Sequence, residues 1–353
     1  MKVLHILAYF SYGGIAAVVR SLAYLNKDSG SKHDVLFFLG RTQTDPGNIF
    51  ALYDLTSDFN YPFRFILKLR RICHDYDVIC VHKPHPWVIF PLITLRRKIF
   101  LFQHGFNLAK GNRIKRLVQV VWYSLLPFLI PSETICSTRF AYMKMRRSGI
   151  RIPEKKVRFI PFGISTRRSD ILINPAVDRI RIGTAAALVP IKRIALLIES
   201  LRDYDGDLSL DLSVAGDGPL RRELEKQARE VVNGRVSIRF EGYIGNLEDF
   251  YDRIDLFVFP SHNESLGLVV FKALFRNRPF LVMSDLGGAL EYLPREMGYI
   301  LGDGPEGMKK FWKTLDCEDL VRKSILIRDA DLDRFRIENT RIRLDSLFEP
   351  ELK

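Results

Sequence analysis

Pro-Ser-His-Asn-Glu-Ser-Leu-Gly-Leu-Val-Val-Phe-Lys-Ala-Leu, residues 260–274, stands between two short apolar runs, residues 256–259 and 280–283. The two runs predict buried strands, and the apolar pattern of residues 266–275 predicts a helix between them. A strand, a glycine-containing turn, a helix and a second strand in this order predict a βαβ unit of a parallel sheet. Amides at the start of such a helix bind anions without needing a particular side chain, because the helix dipole lies behind them. This stretch therefore predicts a site for an anionic ligand.

The same alternation of short β-rich runs and longer amphipathic stretches continues along the chain. In the first half, strands are predicted at residues 3–8, 34–38, 78–82, 99–103, 134–137 and 157–160, and helices at 15–24, 63–71, 114–126 and 139–147. In the second half, strands are predicted at residues 180–184, 210–215, 236–240, 256–259 and 280–283, and helices at 193–201, 219–230 and 266–275. The stretch 161–176 has the polar, Gly- and Pro-containing character of a linker. Because 353 residues exceed what one core usually serves, we predict two Rossmann-like α/β domains.

The composition indicates which classes of partner the protein binds and in which compartment it is expected. A net charge of +13 indicates an anionic partner, for which nucleic acid, an anionic membrane surface and phosphorylated substrates all qualify. The four cysteines have no metal-ligand spacing, and no secretory signal is recognisable at Met1, so a reducing cytoplasm is the simplest interpretation. The longest apolar stretch, residues 117–131, is shorter than the roughly 20 residues that span a bilayer, and we predict no transmembrane helix.

The order of Pro260, Ser261, Glu264 and Gly267 resembles the nucleotide-sugar site of GT-B glycosyltransferases of family 4, the retaining, glycogen-synthase-like "glycosyl transferases group 1". The resemblance covers nearly the whole chain, and its most specific motifs lie between residues 212 and 291. It implies two Rossmann-like parallel-sheet domains that face each other across a cleft. It also implies an acceptor domain at residues 1–165, a donor domain at 166–333, and a terminal helix at 334–353 that crosses back to the first domain.

The resemblance assigns roles to residues of the predicted donor site. Glu264 corresponds to the acid that faces the donor sugar, where a carboxylate offsets oxocarbenium-like positive charge in the transition state. The alternative is a surface Glu that is satisfied by water. The residues implied to bind the donor diphosphate and sugar are Gly14, Lys192, Ser265, Leu266, Gly267, Leu268 and Lys272.

Two positions depart from the family pattern. The family has a second Glu eight residues after the first, which grips ribose hydroxyls, and this chain has Lys272 there. An ammonium has three donors and no acceptor, so Lys272 cannot repeat that contact. The family's Arg-x4-Lys pair, which neutralises the departing diphosphate, is represented by Ala187 and Lys192. Compensation by Lys272, a weakened enzyme, an altered donor and substitution by Arg193 all remain open.

Two further segments resemble the surroundings of the nucleobase. Gly216 and Gly218 follow a predicted strand and open a helix, so that a ligand could approach the backbone closely. A Gly-Asp-Gly-Pro sequence is, however, more often a plain strand-to-helix connection. Tyr243 and Ile244 lie in the segment that in the family packs around the base, and the alternative there is a simple turn.

The N-terminal half offers glycines and histidines as site residues. Tyr12-Gly13-Gly14 resembles the family's Gly-Gly turn after the first strand. His104 ends a strand at the carboxyl edge, where ligands bind in doubly wound folds, and it resembles the family histidine that contacts the donor sugar. We therefore predict that His104 is catalytic through hydrogen bonding. His82 and His85 are candidates for acceptor contact, with plain loop residues as the alternative, and no third ligand accompanies them to form a zinc site.

Basic residues interleaved with apolar ones predict a membrane-facing surface in the first domain. The basic residues are Arg64, Lys68, Arg70, Arg71, Arg96, Arg97, Lys98, Arg113, Lys115 and Arg116. An apolar face rimmed by Lys and Arg is typical of a helix that lies on an anionic bilayer, where a lipid-linked acceptor would be found. Ordinary amphipathic helices packed on the sheet are the alternative. Nucleic acid is not expected as a partner, because no nucleic-acid-binding motif accompanies the charge.

The resemblance implies a glycosyltransferase that moves a sugar from a nucleotide diphospho-sugar to a hydroxyl of a growing, lipid-linked bacterial surface polysaccharide (O-antigen, capsule or exopolysaccharide). The reaction would retain anomeric configuration and need no metal or other cofactor. The enzyme would lie in the cytoplasm, on the inner face of the cytoplasmic membrane. The alternatives are a catalytically impaired GT-B protein that binds a glycan or partner, and a non-transferase such as a nucleotide-sugar epimerase.

Overall fold

The computed structural model describes residues 1–8, 14–28, 30–39, 49–82, 84–95, 97–104, 113–130, 132–302 and 304–349. The chain divides into two compact units: unit 1 contains Met1–Ser165 and Asp333–Lys353, and unit 2 contains Thr166–Leu332. The predicted turn residues Tyr12 and Gly13 and the basic residue Arg96 lie outside the described residues.

Unit 1 is built on a parallel sheet with helices between its strands. Its strands are β1 (Lys2–Leu7), β2 (Lys32–Phe37), β3 (Leu52–Asp54), β4 (Val78–Val81), β5 (Lys98–Gln103), β6 (Ser132–Cys136) and β7 (Val157–Phe159). Its helices are α1 (Gly14–Tyr24), α2 (Pro62–His74), α3 (Pro86–Leu92), α4 (Arg113–Leu129), α5 (Arg139–Arg147) and, from the end of the chain, α12 (Ile337–Phe348). The strand order is β3-β2-β1-β4-β5-β6-β7, and every pair is parallel.

Unit 2 repeats the architecture with six strands. They are β8 (Arg179–Ala185), β9 (Ser209–Ala215), β10 (Val236–Gly242), β11 (Leu256–Phe259), β12 (Phe280–Met283) and β13 (Gly298–Leu301). The helices are α6 (Ile194–Ser200), α7 (Arg221–Val231), α8 (Glu248–Asp252), α9 (Leu268–Phe275), α10 (Pro305–Thr314) and α11 (Cys317–Asp329). The strand order is β10-β9-β8-β11-β12-β13, again all parallel.

The central strands explain why both sheets are doubly wound. All four residues of β4, of β11 and of β12 are buried, so these strands need helices on both faces. The strand order reverses between β1 and β4 and between β8 and β11, and ligands of such sheets bind at the carboxyl ends of the strands where the order reverses. The predicted fold class, two parallel-sheet α/β units, is confirmed.

The sequence pattern did not predict β3, β13, α3, α8, α10 and α11. Strand β3 has only three residues, none of them buried, and therefore has no apolar run. Strand β13 begins at Gly298, where a Cβ would lie 2.5 Å from Phe280. The close packing of this strand therefore requires a glycine, whereas a glycine in a sequence pattern usually indicates a turn. Helix α9 begins at Leu268 instead of residue 266, because its N-cap Gly267 has the left-handed φ of 63°.

The end of the chain belongs to unit 1. Arg341 of α12 is buried and donates to the carbonyl oxygens of Leu22 at 2.6 Å and Ser31 at 2.5 Å. The backbone of Ile164 exchanges hydrogen bonds with Phe335 and Ile337 at 2.9 and 3.0 Å. Helix α12 therefore closes the same core that the first 165 residues build.

Candidate functional site

The candidate site of unit 2 lies at the carboxyl ends of β8, β11 and β12. Three loops meet there, residues 186–193, 260–267 and 284–291. The amide of His262 donates to the carbonyl of Ile191 at 3.0 Å, and the amide of Asn263 donates to the carbonyl of Asp285 at 3.2 Å. The middle loop is therefore held by backbone bonds from both neighbours.

The backbone of Glu264 is fixed on both sides. Its amide donates to the carbonyl of Leu286 at 2.6 Å, and its carbonyl accepts from the amide of Gly288 at 2.8 Å. These bonds form an isolated parallel bridge between Glu264 and Gly287. A side chain on such a backbone needs little further ordering when a ligand binds, which is what a positioned catalytic group requires.

The carboxylate of Glu264 has two partners within the unit. Ser261 Oγ donates to Oε1 at 2.6 Å, and the ammonium of Lys192 forms an ion pair with the same oxygen. Lys192 also lies over the ring of Phe259, 5.3 Å from its centroid. Glu264 and Lys192 remain partly exposed, by 18% and 21% of their side chains, so both are accessible to a ligand.

Arg193 is engaged in a second ion pair beside the first. Its guanidinium reaches both oxygens of Asp285, at 3.0 and 2.7 Å, and Asp285 also pairs with His262 at 2.8 Å. Burial alone raises the pKa of Asp285, but the hydrogen bonds from Arg193 and His262 lower it below the usual value for Asp. The ionised carboxylate of Asp285, paired with Arg193 and His262, therefore stabilises the loop on which Glu264 lies. For Arg193 to contact a diphosphate in place of Ala187, it would have to leave Asp285.

Helix α9 presents its start at the same edge. The amides of its first turn lack intrahelical partners by geometry, and the dipole gives this end a partial positive charge. Leu266 is buried, whereas Ser265, Gly267 and Leu268 are partly exposed. Lys272 lies one turn into the helix, four residues after Leu268, and is also partly exposed. The residues predicted for the diphosphate therefore occupy one loop and the helix that follows it.

Gly216 and Gly218 are required by backbone packing. A Cβ at Gly216, whose φ is 136°, would lie 1.8 Å from the carbonyl oxygen of Ala186, and one at Gly218 would lie 2.6 Å from that of Leu188. The two loops exchange backbone hydrogen bonds, including Leu188 to Asp217 at 2.9 Å. The close approach predicted for a ligand is thus made by the neighbouring loop, and a role near the nucleobase stays a prediction.

The remaining unit 2 positions are exposed to different degrees. Ala187 is exposed at the tip of the loop that packs on Gly218. Tyr243 is 70% exposed just after β10, and Ile244 is partly buried.

A cavity of about 810 Å³ in the same unit is lined by residues that include Val177, Tyr204 and Trp312. It lies beside the amino end of β8, the edge opposite the loops described above.

In unit 1, Gly14 begins α1, and His104, which is partly buried, ends a chain of histidines whose other members are buried. Nε2 of His104 lies 2.6 Å from Nδ1 of His82, and Nε2 of His82 lies 2.8 Å from Nδ1 of His5. Nε2 of His5 lies 2.8 Å from Nδ1 of His33, whose Nε2 lies 3.0 Å from Oδ1 of Asp345. We call these five residues the histidine relay.

Burial keeps the rings of the relay uncharged. It lowers the pKa of His104 to about 3 and that of His33 to about 4, although the hydrogen bond from His33 to Asp345 acts in the opposite direction. Burial also lowers the pKa of His5 and His82 well below the usual value for His. The rings are bonded in series, and within the described ranges no three His, Cys, Asp or Glu side chains form a group that could hold a metal ion.

The structure separates the two histidines predicted for the acceptor. Both ring nitrogens of His82 face other histidines of the relay, so contact with an acceptor would require one of those bonds to break. His85 instead caps α3, accepting from the amide of Trp87 at 3.4 Å, and its ring lies 5.4 Å from that of Phe59. Acceptor contact by either residue stays a prediction.

The sequence analysis missed His5, His33 and Asp345. His5 lies inside the predicted strand 3–8, whereas His33 directly precedes the predicted strand 34–38; in the structure both are fully buried, in β1 and β2. A buried polar ring requires a hydrogen-bond partner, so each predicts some contact, but the pattern does not name it. Asp345 is separated from His33 by 312 positions in the sequence.

The two doubly wound parallel sheets place the chain in the fold class of solved GT-B glycosyltransferases. Comparisons with known families refine the class. The model for "Glycosyltransferase Family 4" matches residues 12–168, and that for "Glycosyl transferases group 1" matches residues 179–314. The chain belongs to the family 4 type of glycosyltransferases.

Relatives and solved structures agree with this assignment. The "Putative glycosyltransferase EpsF" of Bacillus subtilis (strain 168) is 28% identical over 307 residues, which are 81% of this chain and 79% of EpsF. HepE of Anabaena, solved with UDP and glucose, has a TM-score of 0.75 at 16% identity over 98% of this chain and 99% of HepE. WaaG, a glycosyltransferase involved in lipopolysaccharide biosynthesis, has a TM-score of 0.73 at 15% identity over 96% of this chain and 99% of WaaG.

Proposed function

We propose that this protein transfers a sugar from a nucleotide diphospho-sugar to a hydroxyl of a growing, lipid-linked bacterial surface polysaccharide, with retention of anomeric configuration and without a metal ion. Two relatives support the substrate classes. HepE has been solved with UDP and glucose, and WaaG takes part in lipopolysaccharide biosynthesis.

The pairing of Glu264 with Lys192 at the start of α9 carries the donor part of the proposal. Oxocarbenium-like positive charge develops on the sugar in the transition state, and negative charge develops on the diphosphate that leaves. Glu264 would stabilise the first, while Lys192 and the amides of Ser265 to Leu268 would stabilise the second. One carboxylate and one ammonium in contact match two charges of opposite sign on adjacent parts of one donor.

The same groups support the proposed metal independence. In metal-dependent transferases a divalent cation offsets the charge of the diphosphate. Here Lys192 is fixed beside the helix start by Glu264 and Phe259, so a cationic group and a helix dipole are already in place. Lys272, one turn into α9, would add a second cation at the position where the family has a ribose-binding Glu.

The membrane part of the proposal rests on α4. Along this helix an apolar stripe faces solvent: Ile114, Leu117, Val118, Val121, Leu125 and Phe128. Its opposite face packs inward, with Leu126 fully buried. Monomeric soluble proteins rarely expose a contiguous apolar strip of this kind unless it meets a partner or a membrane. The alternative, a helix whose whole apolar face packs on the sheet, does not account for the exposed stripe.

Neighbouring helices extend this surface. Phe90 of α3 lies against Trp122 of α4, with ring centroids 5.8 Å apart, and is itself half exposed. Phe63 of α2 is 85% exposed. Exposed basic residues lie at the start of α4, namely Arg113, Lys115 and Arg116. Apolar side chains with a basic rim fit the headgroup region of an anionic bilayer. No helix in the described part of the chain is long and apolar enough to cross a membrane.

A calorimetric binding panel of UDP, GDP, ADP, TDP and their common sugars tests the donor site, with Lys272→Glu as the matched variant. We expect one nucleotide sugar to bind specifically and Lys272→Glu to weaken that binding. Transfer assays with that donor and a lipid-linked acceptor, analysed for anomeric configuration, then test the reaction. Binding without turnover on varied acceptors would favour a binding protein, and turnover without any acceptor would favour an epimerase. No binding to any compound would refute the proposal.

A further inference from the structure

The histidine relay crosses the sheet of unit 1 strand by strand. His33 lies in β2, His5 in β1, His82 directly after β4 and His104 directly after β5. These strands are consecutive neighbours in the sheet, in the order β2-β1-β4-β5. The four hydrogen bonds from Asp345 to His104 measure 3.0, 2.8, 2.8 and 2.6 Å. A continuous line of polar groups therefore joins α12 to the carboxyl edge of the sheet.

The charge of Asp345 determines which nitrogen donates in each hydrogen bond of the histidine relay. Its carboxylate also accepts from Ser31 Oγ at 2.5 Å and from Arg341 Nε at 2.9 Å. Burial raises the pKa of Asp345, but the hydrogen bonds from His33 and Ser31 and the charge of Arg341 outweigh it and lower the pKa to about 2. The carboxylate is therefore ionised and acts only as an acceptor, so Nε2 of His33 must carry the proton that it shares with Asp345.

The tautomers of the other rings follow in sequence. A neutral imidazole has one donor and one acceptor nitrogen. With Nε2 of His33 protonated, its Nδ1 accepts from Nε2 of His5. By the same rule, Nδ1 of His5 accepts from Nε2 of His82, and Nδ1 of His82 accepts from Nε2 of His104. The opposite direction would set an imidazole lone pair against the anionic oxygen of Asp345.

Aromatic rings protect the relay from competing water. Phe102 stacks on His82 with centroids 4.4 Å apart, and Phe162 lies 4.8 Å from His104. At the other end Phe348 lies 6.2 Å from His33. The charged groups that face the relay are Arg341, Asp345 and, beside His33, Asp34. In this apolar setting the direct bonds between rings decide which nitrogen is protonated.

We propose that Asp345 is a positioning residue that acts through His33, His5 and His82 to hold His104 in the Nε2–H tautomer, so that Nδ1 of His104 offers a lone pair to a hydroxyl group of the substrate. Within the described residues Nδ1 of His104 has no hydrogen-bond partner. A lone pair at this nitrogen accepts an O–H group and repels a carboxylate or phosphate. The relay thus selects a sugar with a hydroxyl at the contacted position over one with an acidic group there. The last step rests on the proposed function.

Nitrogen NMR of the full-length protein, labelled with ¹⁵N-histidine, tests the tautomers directly. We expect long-range proton–nitrogen correlations near neutral pH to show Nε2–H and bare Nδ1 for His5, His33, His82 and His104. Single His→Gln variants assign the signals. A proton on Nδ1 of His104 in the unsubstituted protein would overturn the proposal, and this measurement does not require any variant of Asp345 to fold.

Two substitutions in the C-terminal segment distinguish an effect on the relay from an effect on general stability. Asp345→Asn removes the anionic acceptor, and we expect His104 to show a mixture of tautomers. Asp333→Asn, which disrupts an exposed pair with Arg336, is the control and should leave all four rings unchanged. Identical histidine spectra for Asp345→Asn and the unsubstituted protein would also overturn the proposal.

The kinetic consequence distinguishes this inference from the proposed function. For Asp345→Asn we expect kcat to fall by about tenfold or more, because a wrong tautomer misplaces a catalytic hydrogen bond, while nucleoside diphosphate affinity stays unchanged. An equal loss of kcat and of nucleoside diphosphate affinity would indicate a general structural effect and refute the positioning role. If the unsubstituted protein transfers no sugar, the proposed function fails, but the NMR result still decides the tautomers.

Discussion

The ammonium of Lys192 and the hydroxyl of Ser261 share one oxygen, Oε1, of the carboxylate of Glu264. Side chains from the loop after β8 and from the loop after β11 therefore converge on one atom, in addition to the backbone bond between His262 and Ile191. A ligand that draws Lys192 towards a phosphate must weaken this pair, and Ser261 would still hold the carboxylate. The arrangement ties diphosphate binding to the electrostatic state of the predicted catalytic acid.

Replacing Glu264 by Gln keeps the size of the side chain and the acceptor for Ser261, but it removes the charge. We expect kcat for sugar transfer to fall by about 100-fold or more, because the positive charge of the transition state loses its counter-charge. Nucleoside diphosphate affinity should change little. Glu133→Gln, which alters an ion pair with Arg158 in unit 1, is the control and should keep full activity. Equal rates for the two variants would exclude Glu264 from catalysis.

Replacing Lys192 by Met keeps the length of the side chain without its charge. We expect nucleoside diphosphate affinity to fall by about tenfold or more, since a charged hydrogen bond is worth about 1.5–3 kcal/mol. The binding that remains should also depend less on salt. Calorimetry at two salt concentrations measures both effects. Lys313→Met, at an exposed pair with Asp205, is the control. Unchanged affinity in Lys192→Met would remove Lys192 from the diphosphate site.

Gly216 and Gly234 form a matched pair for testing the loop packing. Gly216→Ala would place a Cβ 1.8 Å from the carbonyl oxygen of Ala186 at a φ of 136°, whereas a Cβ at Gly234 meets nothing within 4 Å. We expect Gly216→Ala to lower the free energy of unfolding by about 2 kcal/mol or more and Gly234→Ala to change it by less than about 0.5 kcal/mol. Scanning calorimetry measures both, and similar melting temperatures would contradict the geometry.

The histidine relay predicts that the protein loses stability in mild acid. The pKa of His33 is about 4 and that of His104 about 3 in the folded protein. Both lie below the value of about 6.5 for an unfolded chain. Between these values the unfolded chain binds more protons, so the free energy of unfolding falls as the pH is lowered below about 6.5. The full contribution is present only above that pH.

Urea unfolding at several pH values measures this slope. Each ring that stays neutral contributes up to about 1.4 kcal/mol per pH unit. His74→Gln removes an exposed histidine of the same unit that lies outside the relay, and it is the control variant. A stability that stays constant between about pH 6.5 and pH 4.5 would contradict the buried, neutral state of the relay.

The exposed stripe of α4 predicts binding to anionic vesicles. The triple change Leu117→Ser, Val121→Ser and Phe128→Ser removes apolar area without altering charge, and we expect it to weaken co-sedimentation by about tenfold or more. Val177→Ser changes an apolar residue of unit 2 that is even more exposed, at 97%, and is the control. Vesicles of neutral phospholipid should bind the unsubstituted protein more weakly. Equal sedimentation of the triple variant and the control would exclude this surface.

Much of the fold was predictable because buried parallel strands are continuous apolar runs. Strands β11 and β12 were predicted with their observed bounds for this reason. The short strand β3 was not, since none of its three residues is buried and only its pairing with β2 defines it. The pattern of apolar residues indicates which strands are buried, whereas a strand at the edge of a sheet is defined by its backbone pairing.

The candidate site was predictable to the extent that it is local. Glu264, Ser261 and the start of α9 lie within eight positions of one another, so their order in the sequence carries their arrangement. The pairing with Lys192 spans 72 positions, and the contact of His33 with Asp345 spans 312. Such contacts are set by the order of strands in a sheet and by the path of the last helix, which local periodicity does not contain.

Unit 1 combines the beginning of the chain with its end, and this has a consequence for its biosynthesis. A ribosome releases residues 1–165 and then all of unit 2 before it makes α12. During that interval His33 has no carboxylate partner, and the places that Arg341 and Phe348 later fill are open. The first unit to be translated is thus the last that can finish folding, so a chain truncated before α12 would be left for chaperones or proteases.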